Sequence, residues 1–300
     1  MTGSRVSNSR PVTAARIARV PGLLESIGLQ LRVVKRLAIR RGGSLAERVG
    51  RLDDRLVFVV GSPRSGTTFL AGAIGSLPGF LDLGEVAPMK AAVPELARLD
   101  PHEAAFRLRR ILAVARRVGL VGSVRAVEQT PELAHLVEAI RMAFPEAHVV
   151  HIVRDGRDVA SSLLEKPWLR AEQSRRDDAG IAYGSYARFW VEPDRREEFE
   201  RVSDARRAAW VWRSYVTAAR SAGGPLLEVR YEQLAQEPAA AAELIGSYLD
   251  ASITPLSAAL SRAHAGSVGR YVRDLDESQL ADVLAEAGDL LRELGYGTGS

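Results

Sequence analysis

The sequence predicts an α/β fold: a mainly parallel central sheet flanked by helices, preceded by a helical extension. Three observations predict it. Short apolar runs of strand length recur at 55–61, 124–128, 147–153 and 226–230. Helical patterning follows each run, the alternation from which parallel sheets build their crossovers. The first run, Arg55-Leu56-Val57-Phe58-Val59-Val60-Gly61, is apolar without alternation, as a strand covered on both faces is.

Three hundred residues with 46% hydrophobic and 26% charged residues are enough to bury a large core without covalent staples. The absence of cysteine excludes disulfides, zinc-thiolate sites, iron–sulfur clusters and cysteine nucleophiles. No apolar run reaches membrane-spanning length, and the N-terminus lacks a secretory pattern. The expected location is cytoplasmic. Residues 1–50 carry ten Arg or Lys against two Glu, a balance of +8; with +4 in total, the rest of the chain carries −4. The basic character therefore belongs to the extension. The expected division is a basic amphipathic helical extension over 1–50 and one domain over 51–300, with any linker near 42–54.

Within the extension, Ile17, Val20, Leu24, Ile27, Leu31, Val34 and Leu37 recur at helical spacing with arginines between them. Pro21-Gly22 breaks the pattern, and Gly42-Gly43-Ser44 ends it. Residues 13–41 are suited first to packing on the domain or joining two copies as a homodimer. Peripheral contact with an anionic membrane face, at the inner membrane, is the second reading. Nucleic acid is not an expected partner, because no recognition motif accompanies the charge.

After the first strand come a loop and a helix over 65–77. Two helical stretches fill 88–119, a helix begins at Pro131, and another covers 156–164. Residues 167–203 are mixed, with Tyr183, Tyr186, Phe189 and Trp190 in the middle, placed where a lid over a substrate could sit. Core packing explains those aromatics equally well. Helices follow at 204–221, where Trp210, Trp212 and Tyr215 read as core, and at 278–294.

The sharpest chemistry is Gly61-Ser62-Pro63-Arg64-Ser65-Gly66-Thr67-Thr68, between a strand and a helix. Glycines let the backbone wrap a phosphate, and the amides and positive end of the following helix face the anion. Thr67 and Thr68 add hydroxyl donors, and Arg64 a charged fork. Nucleotide triphosphatases place lysine where Thr67 stands. The pattern suits one phosphate better than a triphosphate with magnesium. A second anion grip is written in Arg154-Asp155-Gly156-Arg157-Asp158 and Ser162. Arg154 ends a strand and Ser162 lies eight residues on in the next helix, so both can reach one anion. Asp155 and Asp158 read as helix-starting residues. Arg157 reads as a helper or as solvent-exposed.

The loop Ser62–Thr68 resembles the 5′-phosphosulfate loop of the sulfotransferase superfamily, in its bacterial branch. Arg154 and Ser162 match the arginine and serine that bind the 3′-phosphate there. Leu227–Leu234 resembles the family's late strand and turn, and Ser267-Val268-Gly269-Arg270-Tyr271 its C-terminal segment. The resemblance spans roughly 55–296. It implies a P-loop-like sulfotransferase fold, with 3′-phosphoadenosine 5′-phosphosulfate as co-substrate and no metal. Arg64, Ser65, Gly66, Thr67, Thr68, Arg154 and Ser162 would bind the nucleotide. Arg270 would substitute for an Arg-Lys-Gly triplet, where this chain has His264-Ala265-Gly266. Arg64 would also stabilise the leaving nucleotide. The base would be Glu85 in Leu83-Gly84-Glu85, a segment that resembles the catalytic-glutamate segment of several bacterial members. His102, His135, His148 and His151 read as structural.

One departure concerns Glu128-Gln129-Thr130-Pro131: relatives carry lysine where Gln129 stands, aimed at the transferring sulfuryl. The expected reaction is sulfuryl transfer to a hydroxyl or amine of a small-molecule or glycan acceptor. The rivals are a P-loop kinase or NTPase, which Thr67 disfavours, and a non-catalytic nucleotide-binding module, which Gln129 favours.

Overall fold

The computed structural model describes residues 56–119, 125–166, 169 and 188–297. The extension over 1–50, its stretch 13–41, the linker near 42–54, and Tyr183 and Tyr186 lie outside the described residues.

Five strands form one sheet: β1 Leu56–Val60, β2 Phe80–Gly84, β3 Arg125–Glu128, β4 His148–Val153 and β5 Leu227–Arg230. All pairings are parallel, in the order β2-β3-β1-β4-β5. Central β1 is covered on both sides, with Phe58 opposite Glu128 on β3 and Val149 on β4. Its side chains divide by the strand period of two. Leu56, Phe58 and Val60 enter one core, and Val57 and Val59 the other. That double burial is why the run lacks alternation.

The helices fill both faces. On one lie α1 Thr67–Gly75, α9 Pro238–Leu249 and α10 Ile253–Leu260, packed on Val57, Val59, Val150 and Ile152. On the other lie α2 Ala87–Leu96, α3 Pro101–Gly119, α4 Val137–Ala143, α5 Gly156–Leu164, α7 Asp204–Ser221 and α12 Glu277–Glu293. Short helices α6 Arg196–Arg201, α8 Tyr231–Gln236 and α11 Tyr271–Asp274 complete the set. Trp210 and Trp212 are fully buried on α7 and Tyr215 nearly so, as their spacing predicts. Ser203 caps α7 by accepting from Arg206 N, and Asp276 with Gln279 forms a capping box on α12. No helix among the described residues is long and apolar enough to cross a membrane.

This layering makes the site. Helix α1 leaves β1 toward one face, and α5 leaves the neighbouring β4 toward the other. The two loops diverge and open a crevice at the carboxyl ends of adjacent parallel strands.

Three local features differ from the sequence expectation. Phe80–Gly84 forms an edge strand that Asp82 and Gly84 keep from reading as an apolar run. Helix α1 begins at Thr67 rather than 65, because Gly66 at its N-cap takes φ 99°. The turn from Pro131 to Leu136 is a 3-10 helix, and α-geometry starts only at Val137.

Candidate active site

The loop leaving β1 is forced by close approach. A Cβ on Gly61 would stand 2.4 Å from the carbonyl oxygen of Ile152 on β4. One on Gly66 would meet the Tyr231 ring at 2.6 Å. Arg64 itself takes φ 72°, a left-handed conformation that non-glycine residues rarely adopt, and its side chain is exposed. Ser65 N closes the turn on Ser62 O at 3.1 Å. The first amides of α1 then point into the crevice without partners in the helix. Thr67 is buried at the first helical position, and Thr68 is exposed beside it.

The second grip sits directly across from the first. Arg64 Nε donates to Ser162 Oγ on α5 at 3.0 Å. Arg154, at the end of β4, donates through Nη1 to Arg64 O at 3.4 Å and through Nη2 to Ser267 O. The Arg154 guanidinium lies 4.7 Å from the Tyr231 ring centre and 3.6 Å from the Asp158 carboxylate. Trp212 Nε1 fixes the backbone by donating to Arg154 O at 2.9 Å. The two arginines thus share one crevice. Among the described residues, Ser65 Oγ and Arg154 Nε are buried polar atoms with no hydrogen-bond partner. Such orphans are uncommon in a folded protein, and both lie in the cradle where an anion would satisfy them.

Neighbouring residues divide into cap and strap. Asp155 caps α5 by accepting from Arg157 N at 2.9 Å. Asp158, read from sequence as a helix-starting residue, instead turns its buried carboxylate to Gly269 N and Tyr271 N at 2.8 and 3.0 Å. Burial holds its pKa above the usual aspartate value, against the pull of those amides. Arg157 is buried, not solvent-exposed: it is bidentate on Asp155 and donates to Gly297 O at 2.6 Å. Arg270 is engaged by carboxylates. It pairs with Glu165 at 2.6 Å and Asp274 at 2.7 Å.

A different chemistry occupies the ends of β2 and β3. A bulge between Asp82 and Gly84, with Gly84 at φ 67°, redirects the end of β2 and presents Glu85. The Glu85 carboxylate accepts from Lys90 Nζ at 2.7 Å. Lys90, fully buried on α2, also reaches Glu132 at 3.5 Å. Glu128, at the end of β3, is fully buried and accepts from Val86 N at 3.2 Å and Thr130 N at 3.0 Å, and from the Thr130 hydroxyl. Burial pushes its pKa up to about 7, against those hydrogen bonds. Gln129 accepts from Thr68 Oγ1 at 3.2 Å, which ties this edge to the phosphate loop.

Three of the histidines engage neighbouring side chains. His148 pairs with Arg125 and His151 with Glu228. His135 is buried edge-on to Phe189 and Tyr215, and burial lowers its pKa to about 4. Of the aromatics described within 167–203, Trp190 is buried against Phe199 and Tyr215. Sequence reasoning missed Lys90 and Tyr231. The signal for Lys90 was faint: the chain has three lysines in all, at 35, 90 and 166, and this one follows Glu85 by five residues.

Comparison with known proteins agrees with the fold. The sulfotransferase domain from the Synechococcus PCC 7002 olefin synthase superposes with a TM-score of 0.50 at 15% identity, covering 83% of this chain and 98% of that one. Sulfotransferase STF9 from Mycobacterium avium superposes with a TM-score of 0.50 at 14% identity, covering 95% of this chain and 88% of that one. At such identities the likeness is one of fold. No curated protein matches the sequence. The sulfotransferase family profile matches residues 101–255, more than half of the chain. The chain belongs to the sulfotransferase family, whose enzymes use 3′-phosphoadenosine 5′-phosphosulfate.

Proposed function

We propose that this site transfers a sulfuryl group from 3′-phosphoadenosine 5′-phosphosulfate to a hydroxyl or amine of a small-molecule or glycan acceptor. The observation that carries the reading is the direct contact between the two grips, Arg64 to Ser162 at 3.0 Å and Arg154 to Arg64 O at 3.4 Å. A ligand with anionic groups at both ends of one adenosine suits paired cradles; a lone triphosphate does not call for the second. The orphaned Ser65 Oγ and Arg154 Nε support the same reading.

In this assignment the amides of Ser65, Gly66, Thr67 and Thr68 hold the 5′-phosphosulfate, with Arg64 at the leaving phosphate. Arg154 and Ser162 hold the 3′-phosphate. Arg270 joins them only by exchanging Glu165 and Asp274 for phosphate. Glu85 takes the acceptor proton as the acceptor oxygen or nitrogen bonds to sulfur. The bond from sulfur to the bridging oxygen breaks, and its electron pair passes to the nucleotide phosphate. Preorganised donors at that phosphate stabilise the charge as it forms. No step needs a metal.

Calorimetry with 3′,5′-adenosine bisphosphate against ATP–Mg²⁺ tests the donor. The bisphosphate is expected to bind more tightly; tight ATP–Mg²⁺ binding without bisphosphate binding would overturn the reading in favour of a kinase or NTPase. A screen of cell extracts with radiolabelled 3′-phosphoadenosine 5′-phosphosulfate tests the transfer and identifies the acceptor. Bisphosphate binding with no labelled product would leave a non-catalytic nucleotide-binding module, the reading that the uncharged Gln129 favours.

A further inference from the structure

Gln129 gives the end of β3 an uncharged amide, and a cation near this edge is the buried Lys90 on helix α2. The chain uses arginine almost throughout; of its 41 Lys and Arg only three are lysines. Lys90 is the one that is 1% exposed. Its ammonium lies 2.7 Å from Glu85 Oε2 and 3.5 Å from Glu132 Oε1. The two carboxylates differ in access, the Glu85 side chain being 31% exposed and that of Glu132 6%. Among the described residues no hydrogen bond reaches the other Glu85 oxygen, Oε1.

The scaffold around this trio is tied at each joint. Lys90 N donates to Val86 O at 3.0 Å, and Val86 N donates to Glu128 Oε1 at 3.2 Å. Helix α2 packs on the 3-10 helix that carries Glu132. The position of the ammonium is therefore set by the protein and not by the acceptor.

We propose that Lys90 is a positioning residue for sulfuryl transfer. It clamps Glu85 by one carboxylate oxygen and leaves the other to take the acceptor proton, while Glu132 keeps the ammonium compensated throughout. This rests on the assignment of Glu85 as base. Before the step, Lys90 lies between two carboxylates. As the acceptor proton moves to Glu85 Oε1 and the acceptor–sulfur bond forms, Glu85 becomes neutral and Lys90 still faces the Glu132 carboxyl group at 3.5 Å. A buried ammonium with a single carboxylate would be stranded by the same proton transfer, a large penalty in a low-dielectric site. The second carboxylate removes that penalty from the reaction path. A compact ammonium suits sharing between two carboxylates better than the planar fork of arginine does.

The test uses the full chain, radiolabelled 3′-phosphoadenosine 5′-phosphosulfate and whichever extract fraction the native protein labels. Lys90→Met is expected to lower turnover by about 100-fold, the scale of a misplaced catalytic group, with bisphosphate affinity unchanged by calorimetry. Lys90→Met together with Glu132→Gln removes the cation and the second carboxylate that it reaches among the described residues. The double variant is expected to melt above the single one while turnover stays as low. Native turnover in either variant overturns the proposal, and recovery in the double variant alone would mean that Lys90 only neutralises Glu132. Native turnover in Glu85→Gln overturns the base assignment itself, and this proposal with it. Absence of transfer by the native protein in every fraction removes the enzymatic reading that both rest on.

Discussion

The ends of β1 and β4 gather Arg64 and Arg154, a run of backbone amides and the hydroxyls of Ser65, Thr67, Thr68 and Ser162. The ends of β2 and β3, one strand away on the same edge, gather three carboxylates, one ammonium and one amide. The first group is made of near-neighbours in sequence: Ser62–Thr68 on one side, Arg154–Ser162 on the other. The second is assembled from four separate elements, with Glu85 after β2, Lys90 on α2, Glu128 and Gln129 at the end of β3, and Glu132 on a 3-10 helix. On the proposed assignment the contrast is functional. An anion cradle needs donors held in fixed directions, which a strand–loop–helix supplies locally. A proton-accepting site needs a carboxylate whose surroundings are tuned, and tuning comes from packing against other elements.

The largest expected effect separates the two groups by readout. Glu85→Gln is expected to lower transfer by about 10²- to 10⁴-fold, the usual contribution of a general base, and to leave bisphosphate affinity unchanged. Arg154→Ala is expected to do the reverse at the level of binding. Loss of a charge-assisted hydrogen bond costs about 2 kcal/mol, so affinity for 3′,5′-adenosine bisphosphate falls by roughly 30-fold. Affinity for 5′-AMP, which lacks the 3′-phosphate, is expected to hold. If 5′-AMP weakens as much as the bisphosphate, Arg154 does not read the 3′-phosphate and the division between grips fails.

The next effect sharpens the contrast through pH. Glu128 is held at about 7 in the folded chain against 4.5 when solvated, chiefly by burial. Between those values the folded state keeps a proton that the unfolded state releases. This contribution to stability is therefore complete below 4.5 and is lost as pH rises through 7, by on the order of 3 kcal/mol. His135 acts in the opposite sense. Its pKa is lowered from 6.5 to about 4, so its contribution is present above 6.5 and lost as pH falls through 4. In the native protein the two slopes oppose each other. Glu128→Gln keeps an acceptor oxygen for Val86 and Thr130 and removes the alkaline-side loss. Denaturant unfolding from pH 5 to 8 is expected to show stability rising with pH in this variant relative to the native chain. Parallel curves would mean that Glu128 is not desolvated and that the edge is less enclosed than its burial indicates.

Legibility follows the same division. The parallel α/β layout was readable because strands covered on both faces, such as Leu56–Val60, lose their alternation and announce themselves as short apolar runs. The meeting of Ser62–Thr68 with Arg154 and Ser162 was readable because each group is local in sequence and follows a strand that reads as an apolar run. The strand Phe80–Gly84 was not: it lies at the edge, it contains Asp82, and its bulge is set by pairing with β3. Tyr231 was legible as part of a strand and turn. That Gly66 must be glycine to pass its ring at 2.6 Å could be seen only once β5 lay beside β4. Lys90 gave no sign of its burial, because helical spacing says which face a residue takes and not what that face meets. Arg157 failed for a related reason: its solvent-exposed reading ignored Asp155, two residues earlier, which holds it in the interior.

The smallest expected effect concerns Arg270, whose sequence position and whose contacts point in different directions. Its place in the C-terminal segment argues for the 3′-phosphate. Its guanidinium is engaged by Glu165 and Asp274, whose side chains are 57% and 21% exposed. Ion pairs of that exposure contribute about 1 kcal/mol or less each, so Arg270→Ala is expected to shift the melting point only slightly. If Arg270 moves to the nucleotide, it must give up those carboxylates, and the exchange offsets most of what the phosphate contact adds. Bisphosphate affinity is then expected to fall by about threefold, well short of the loss in Arg154→Ala. An equal loss in the two variants would place Arg270 inside the grip on the same footing as Arg154. It would also mean that the segment 264–271, anchored through Asp158 and Ser267, rearranges when the nucleotide binds.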